Sequence, residues 1–195
     1  MTRRVLIMFA GLLVIAAALG FYAYYLKNRV KQEEQRLAQQ PQIAAPASGP
    51  ATPVRLFLAS DADATLKGTQ VRLPLPEERS ERLRAVLRAL FNTYLQPSSG
   101  HPIGANSDVL DVFLVADDTA VVDTSTSFAD SHPSGVLAEE LTIASIVTTL
   151  NANDAHIHRV KILVDGKERE TLAGHADLRR FYNTSEIEIS AMEAR

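Results

Sequence analysis

The chain has 195 residues, no cysteine, 46% hydrophobic residues and a formal net charge of −3. This length holds one domain of ordinary size with appendages. The absence of cysteine excludes disulfides, thiolate metal sites and a lipid-modified N-terminal cysteine. Beyond Arg36 the sequence contains fourteen basic and twenty-one acidic residues. Because this part is acidic and has no basic aromatic platform, we expect no nucleic-acid partner.

A long uncharged segment follows the short N-terminal tail of residues 1–4. From Val5 to Tyr25 no charged residue occurs, and a helix of this length spans about 32 Å, the thickness of a bilayer core. The pattern predicts a transmembrane signal anchor over residues 5–25. A cleaved secretory signal is the alternative, since Ala16 to Ala18 offer small residues at a cleavage position. The tyrosines that close the run resemble an interfacial aromatic belt and favour the anchor.

Residues 26–53 are predicted to form a tether. The first part is polar, and residues 41–53 contain four prolines, a composition that cannot bury much apolar surface. We therefore expect a folded domain from Val54 to Tyr182 and a C-terminal tail over residues 183–195. With this tether, the anchor would hold the domain at the plasma (inner) membrane. Basic residues on the two sides of the anchor are nearly balanced, so they leave its orientation open.

The first part of the domain has the pattern of two strands and a helix. Val54 to Leu58 is almost continuously apolar, and Gln70 to Leu75 is a shorter strand that ends at prolines. Glu77, Glu78 and Glu81 then place negative charge where a helix begins. Over residues 81–95 the apolar side chains recur at helical spacing. This stripe consists of Leu83, Val86, Leu87, Leu90, Phe91 and Tyr94.

Two strands and a polar loop occupy the middle of the domain. Asp108 to Val115 and Ala120 to Asp123 show strand patterning and are separated by a short turn, which favours antiparallel pairing. Thr124 to Gly135 is rich in Ser and Asp and is predicted to be a loop.

A second helix is predicted over residues 137–153, with Ser134 as its N-cap. Its apolar residues cover a broad face, which must lie against a core. The stripe consists of Leu137, Leu141, Ile143, Ala144, Val147 and Leu150.

A hairpin is predicted after this helix. Val160, Ile162 and Val164 alternate as in a strand, Asp165-Gly166 suits a tight turn, and Lys167 to Leu172 would return as an exposed edge strand. A two-residue loop would pair Lys161 with Glu170 but place Arg169 opposite Ile162 on the core face, whereas a three-residue loop would pair Val160 with Leu172. The pattern leaves this register open.

The C-terminal part carries weaker signals. Gly174 to Tyr182 is predicted to form one helical turn, and Glu186 to Ser190 a short strand. Met192 to Arg195 is expected to be frayed.

The five histidines are the first candidates for metal ligands. His156 and His158 would share one face of a strand start, and with Asp154 they could begin a metal site, but no third ligand position stands out. An ordinary polar strand start is the favoured interpretation. His101, His132 and His175 lie beside Pro or Gly and are interpreted as turn residues.

Other polar motifs do not form a catalytic constellation. Asp117-Asp118 and the pair Asp61 and Asp63 lack the glycine and distal glutamate of a calcium loop. Ser125, Ser127 and Ser131 have no nucleophile elbow around them. We therefore predict no catalytic, cofactor-binding or metal-binding residues, no cofactor and no enzyme activity.

Three arginines, Arg82, Arg84 and Arg88, lie off the apolar stripe of the first helix. They could form an anion-binding face. A solvated helix face with ion pairs to Glu78 and Glu81 is the simpler interpretation.

The order of these elements resembles a known module. The segments VVDTSTSFAD (121–130), SIVTTLNAN (145–153), HRVKILVDGK (158–167) and LAGHADLRR (172–180) are similar to the GerMN domain of sporulation and spore-germination proteins. The resemblance covers Val54 to Tyr182. Family members often carry Gly-Pro after the first helix and Ile-Pro before the middle strand, where this chain has Leu95-Gln96-Pro97 and Ala105-Asn106-Ser107.

The resemblance implies a mixed α/β (α+β) fold with two helices on one face of a mixed sheet, similar to ring-building modules. It also implies an extracytoplasmic or periplasmic interaction module, tethered by a lipid or a membrane helix, that acts in an envelope assembly without catalysis. We therefore expect an envelope protein partner or self-association, with the membrane contacted through residues 5–25. The alternative from a different class is a small-ligand or metal-binding domain that uses His156, His158 and the loop from Thr124 to Ser131.

Overall fold

The computed structural model describes residues 51–187. The predicted anchor over 5–25, most of the tether and the frayed end after Met192 lie outside these residues. Within residues 51–187, no helix is both long and apolar enough to cross a membrane. The elements in chain order are β1 (Ala51–Ser60), β2 (Thr65–Pro74), α1 (Arg79–Tyr94), β3 (Val109–Val115), β4 (Thr119–Thr124), α2 (Thr126–Asp130), α3 (Val136–Asn153), β5 (Arg159–Val164) and β6 (Tyr182–Asn183).

The fold is mixed α+β, as predicted, but its strands form two sheets instead of one. β1 and β2 make a separate antiparallel hairpin. The second sheet has the order β3-β4-β5-β6 and is itself mixed, because β4 and β5 run parallel while the other two pairs are antiparallel. The parallel pair is possible because α2 and α3 connect β4 to β5.

The first hairpin is longer than the sequence predicted. β1 and β2 pair over their full lengths, from Ala51 opposite Pro74 to Ser60 opposite Thr65. The predicted second strand began only at Gln70 because Lys67, Gly68 and Thr69 are polar or small, yet these residues continue the ladder. They are exposed, so their pairing requires no apolar side chain.

Helix α1 agrees closely with its prediction. All six residues of the predicted apolar stripe are buried. Its N-cap is Glu78, whose carboxylate accepts hydrogen bonds from the backbone N–H groups of Ser80 and Glu81 at 3.0 and 2.7 Å. These bonds satisfy two of the free N–H groups at the helix start. The hydrogen bond from the Ser80 hydroxyl and those from the two amides lower the pKa of Glu78 to about 2.

The predicted strand pair in the middle of the chain is confirmed. β3 and β4 are antiparallel, with Val112 opposite Val122 and Val115 opposite Thr119. The turn between them has Ala116 at a φ of 60°.

The predicted loop from Thr124 to Gly135 is partly wrong, because it contains the short helix α2. Ser125 is the N-cap, and its hydroxyl accepts a hydrogen bond from the Phe128 N–H at 3.3 Å. Phe128 is fully buried and packs on Phe91 with ring centroids 4.9 Å apart. Phe128 therefore holds this mostly polar segment against the core.

Helix α3 forms as predicted, but two details differ. Its N-cap is Gly135, without a side-chain hydrogen bond, and not Ser134. Leu137 is 47% exposed, since only the part of the helix from Leu141 onward has its apolar face covered by the core. Val147 and Leu150 are fully buried.

The hairpin after β5 begins as predicted and then stops. Val164 and Lys167 exchange two backbone hydrogen bonds around Asp165-Gly166, which establishes the two-residue loop. Both loop residues have positive φ, 53° and 70°, as a hairpin turn requires. The predicted strand Lys167 to Leu172 is wrong, because its continuation would bring Arg169 onto the core face. Arg169 instead forms an ion pair with Asp130.

The predictions for the C-terminal part are also wrong. Residues 174–182 form no helical turn; the segment turns back through a bridge between Thr171 and Asp177 and ends in β6, which pairs with β5. Glu186 and Ile187 are helical instead of extended. The remainder of the predicted strand, residues 188–190, lies outside the described part.

One apolar core joins the helices to both sheets. The largest fully buried side chains come from α1, α2, α3, β1 and β5 and from the segments that flank β5. The helices cover one face of the four-stranded sheet, where Val112, Val122 and Ile162 are buried. On the opposite face Phe113 and Val115 of β3 are 50% and 56% exposed.

Candidate functional site

Polar side chains of α3 bind the backbone edge of β1 that faces away from β2. The Arg55 N–H donates to Asn153 Oδ1 at 3.0 Å, and Asn153 Nδ2 donates to the Arg55 carbonyl at 2.7 Å. The Phe57 N–H donates to Thr149 Oγ1 at 3.0 Å, and the Ser145 hydroxyl donates to the Phe57 carbonyl at 2.6 Å. These bonds take the place of a neighbouring strand.

The spacing of the two elements explains this contact. Ser145, Thr149 and Asn153 are four residues apart, so each step advances about 6 Å along the helix. Two residues of a strand advance about 6.7 Å, so the helix and strand positions stay matched over these contacts. This polar row was missed in the sequence, although polar residues at intervals of four in an apolar helix were the available signal.

This row of side-chain contacts to β1 ends at Tyr94 of α1, which is almost fully buried. Its hydroxyl accepts a hydrogen bond from the Ala59 N–H at 2.9 Å and lies 2.5 Å from Ser145 Oγ. Burial raises the pKa of Tyr94, while the hydrogen bond with Ser145 and the one from the Ala59 N–H act in the opposite direction.

Two histidines that were predicted to be turn residues are buried. His101 is 1% exposed and His132 is 6% exposed. His101 Nδ1 lies 2.5 Å from Asp61 Oδ1, and its Nε2 lies 2.6 Å from Thr142 Oγ1. His132 Nε2 contacts the same hydroxyl at 2.8 Å. Thr142 thus links the loop after α1 to the segment before α3, and His101 connects both to the turn after β1.

Burial lowers the pKa of His132, and the neighbouring His101 lowers it further. Opposing effects come from the hydrogen bond with the Pro133 carbonyl and from the charges of Glu139 and Asp61. The His132 ring also packs edge-on against Phe128, with centroids 5.7 Å apart. The aromatic packing and the hydroxyl contact give this residue a structural role.

Glu139 is a fully buried carboxylate near the start of α3. Oε2 accepts backbone hydrogen bonds from Ala173, His175 and Ala176 at 2.9 to 3.0 Å. Oε1 contacts His175 Nδ1 at 2.9 Å and the Gly135 N–H at 3.3 Å. Burial alone would raise the pKa of Glu139, but these hydrogen bonds outweigh it and lower the pKa to about 2. The carboxylate therefore fixes the loop of residues 173–176 to α3.

The residues that were candidates for a metal site are not assembled into one. His156 and His158 are both exposed, and Asp154 is occupied by an ion pair with Arg79 at 2.5 Å and by the His156 backbone N–H at 3.1 Å. In residues 51–187 no group of three or more His, Asp or Glu side chains could hold a metal ion.

The hydroxyls of the segment from Thr124 to Ser131 mostly bond to nearby backbone. Thr124 donates to the Leu163 carbonyl at 2.8 Å, and Ser131 donates to the Ser127 carbonyl at 2.5 Å. Ser125 accepts from the N–H groups of Asp108 and Phe128. The density of polar groups here is explained by the local fold and forms no candidate ligand site.

The arginines of α1 have separate partners. Arg84 pairs with Glu81 at 2.5 Å, as predicted, but its side chain is largely buried instead of solvated. Arg88 binds both carboxylate oxygens of Asp108, at 3.0 and 2.6 Å, and the Val109 carbonyl at 3.0 Å. Arg82 donates to the Glu77 carbonyl. Because each guanidinium is engaged with this chain, the three do not form an anion-binding face.

Further candidate surfaces include a groove and the open face of the four-stranded sheet. The groove has a volume of about 940 Å³ and lies among the β1–β2 turn, α3 and the C-terminal segment, with Leu66, Leu141 and Ile187 in its lining. On the open face, Phe113 lies opposite Val121. Among the described residues that line these two surfaces, no nucleophile is held by a base.

The fold and its polar contacts define a small α+β scaffold whose chemical groups mainly hold its own backbone. A family model described as Germane, sporulation and spore germination, matches residues 55–170. The chain belongs to this family. The resemblance to the GerMN domain that its sequence motifs indicated is thereby confirmed.

Two solved structures of GerMN domains are similar to this chain. The first GerMN domain of the sporulation protein GerM from Bacillus subtilis is 19% identical, with a TM-score of 0.46, and the match covers 65% of this chain and 92% of that chain. The tandem GerMN domains of the same protein are 17% identical, with a TM-score of 0.47, over 66% of this chain and 44% of that chain.

The structure of a protein described as a putative lipoprotein from Clostridium perfringens also matches. It is 17% identical, with a TM-score of 0.44, and the match covers 74% of this chain and 95% of that chain. A search among curated proteins finds no match.

Proposed function

We propose that this domain is a non-enzymatic interaction module that works by contact in a cell-envelope assembly of the sporulation or germination type. The observation that carries the proposal is the use of its polar side chains. Glu139, His101, His132 and Thr149 all bond within the domain. Of the buried side-chain nitrogen and oxygen atoms in residues 51–187, Thr65 Oγ1 alone lacks a partner.

The open sheet face supports a contact role. Phe113 and Val115 expose about half of their side chains on one strand, and Val121 lies directly across from Phe113. Neighbouring exposed apolar side chains on a folded domain are typical of surfaces that bind other proteins. Family membership supports the setting, because the family's description concerns sporulation and spore germination.

The proposal includes the location of the domain. The uncharged segment 5–25 is the membrane anchor, the residues between it and β1 are the tether, and the folded domain lies outside the cytoplasm. The support for this is the length and apolar character of that segment. An envelope protein, or a second copy of the chain, is the partner.

Site-specific photo-crosslinking tests the contact function. A photoreactive amino acid replaces Phe113 in the full-length chain at native expression, and the products are extracted in detergent. We expect a discrete crosslinked species that contains an envelope protein or a second copy. The matched control replaces Ala155, an exposed residue in the loop after α3. Recovery of monomer alone from both positions would count against the proposal.

A further inference from the structure

The β1–β2 hairpin has one closed edge and one open edge. On β1, the backbone groups of Arg55, Phe57 and Ala59 point away from β2 and are bonded to side chains of α3 and α1. A strand from another chain therefore cannot pair with β1. Any extension of this small sheet has to occur on β2.

The outer edge of β2 follows from its register with β1. Gln70 lies opposite Arg55 and Gly68 opposite Phe57. In an antiparallel pair, opposite residues either bond to each other or both face outward, so Gln70 and Gly68 direct their backbone groups away from β1. Leu66 and Arg72 continue this row on either side. Among residues 51–187, no strand pairs with this edge.

The open edge is long enough for a partner strand. The row from Leu66 to Arg72 spans about 20 Å at about 3.3 Å per residue, which is the length of an average strand. Residues 67–70 are all exposed. No described residue hydrogen-bonds the outward backbone groups of Gly68 or Gln70.

The charges along the hairpin favour one kind of partner. Arg72 and Arg55 have no acidic partner within the described part of the chain, and the Arg55 guanidinium lies over the Phe57 ring, 5.1 Å from its centroid. Lys67 is paired with Asp63 in the turn. An incoming strand thus meets uncompensated positive charge beside unpaired backbone groups.

We propose that the outer edge of β2 is the docking site of an acidic, extended segment, which adds to the hairpin as a third strand. The proposal rests on the proposed contact function and names the chemistry of its partner. Backbone bonds to Gly68 and Gln70 provide affinity, and Arg72 selects carboxylates.

A second copy of the chain fits this edge less well. Antiparallel pairing of two β2 strands would place Arg55 and Arg72 of both copies on the same face of one sheet, where their like charges repel. Charged residues on an edge strand are also a known means of preventing self-association. They do not prevent pairing with a segment of opposite charge.

The test uses a defined peptide and the full-length chain, isotope-labelled and kept in a mild detergent. The peptide alternates threonine and glutamate over about eight residues, the length that spans the outward row. A matched peptide carries lysine in place of glutamate. We expect saturable binding of the acidic peptide only, with slowed hydrogen exchange at the Gly68 and Gln70 amides and little change at Thr69, which faces β1.

Two variants locate the contact. Gln70→Pro removes an outward N–H that makes no bond to this chain, a position at which an edge strand tolerates proline. We expect at least about a tenfold loss of peptide affinity. Gln70→Thr keeps the N–H and serves as the matched control. Arg72→Glu is expected to weaken the acidic peptide and to favour the lysine peptide.

Several results would overturn the proposal. These are the absence of acidic-peptide binding, binding that Gln70→Pro leaves unchanged in a folded protein, or exchange protection outside β2. If proline disturbs the fold, the protection pattern in the unmodified chain decides the question. A dimer that depends on Gln70 would show that a second copy is the occupant. Crosslinks from Phe113 would still support the contact function if this edge proved inactive.

Discussion

At the scale of single residues, Glu139 shows how a charged side chain becomes part of the interior. The sequence places it at a helix start, where an acidic residue is ordinary and signals nothing further. Its donors are 34 to 37 residues away in the chain, at Ala173, His175 and Ala176. The sequence could not predict this bond, because no local pattern connects the two segments.

Replacement of Glu139 by glutamine tests whether these hydrogen bonds stabilise the fold. Every hydrogen-bond partner of the carboxylate is a backbone N–H group or a histidine nitrogen, so the amide nitrogen that the substitution introduces would face N–H groups and leave donors unpaired. We expect a loss of at least about 2 kcal/mol in the free energy of unfolding at pH 7. Urea denaturation measures it, with Glu140→Gln as the control, since Glu140 is the exposed neighbour.

The difference in stability between the natural chain and Glu139→Gln is also expected to depend on pH. The pKa of Glu139 is lowered from its ordinary value of 4.5 to about 2, so its contribution is complete above pH 4.5 and is lost as the pH falls toward 2. The difference in stability between the natural chain and Glu139→Gln should therefore shrink over this range. A difference that stays constant down to pH 2 would contradict the assigned role.

The burial of His101 and His132 also depends on a residue that is distant in the sequence. Each stands beside Pro or Gly, which favours a turn, and both do lie outside regular helices and strands. Their burial depends on Thr142, which is 41 residues from His101 and 10 from His132. Local composition thus predicts the backbone of these residues but not their environment.

At the scale of elements, the sequence predicts those whose pattern is local. The apolar stripe of α1 and the turn at Asp165-Gly166 depend on neighbouring residues, and both are confirmed. The return strand after that turn depends on what it would face. A continued strand would place Arg169 on the core face. Strand pairing instead stops after Lys167, and Arg169 forms its ion pair with Asp130.

The contact between α3 and β1 is the element-level feature that no periodicity analysis of apolar residues detects. Thr149→Val keeps the shape of the side chain and removes the acceptor of the Phe57 N–H. We expect a loss of about 1–3 kcal/mol in the free energy of unfolding, because a partly buried donor is left unpaired. Thr148→Val is the matched control, since Thr148 is only half buried. If the two substitutions lowered the free energy of unfolding equally in chemical denaturation, the hydrogen bond from Phe57 to Thr149 would not stabilise the fold.

At the scale of the whole molecule, the sequence predicts the fold class but not the division into two sheets. Strands β1 to β5 could each be located from their own residues, whereas the two-residue β6 has no pattern of its own. The pairing of β4 with β5 joins segments separated by two helices, and the separation of the β1–β2 hairpin depends on α3 occupying the edge of β1. Such choices depend on contacts between distant segments.

The same arrangement limits what the molecule can present to a partner. α3 and α1 close one hairpin edge, and the helices cover one face of the larger sheet. The exposed strand β2 and the face around Phe113 remain available. A module with these surfaces, in which the buried polar side chains of residues 51–187 are bonded internally except for Thr65 Oγ1, is suited to docking.

Proximity labelling from the intact, full-length protein at native expression tests the central claim most directly. A labelling enzyme fused after the C-terminal end reports which proteins surround the domain. The account predicts a reproducible set of envelope proteins outside the cytoplasm, reduced when Phe113 and Val115 are replaced by serine in a folded protein. A set dominated by cytosolic proteins, or one indifferent to those substitutions and to changes on β2, would contradict it.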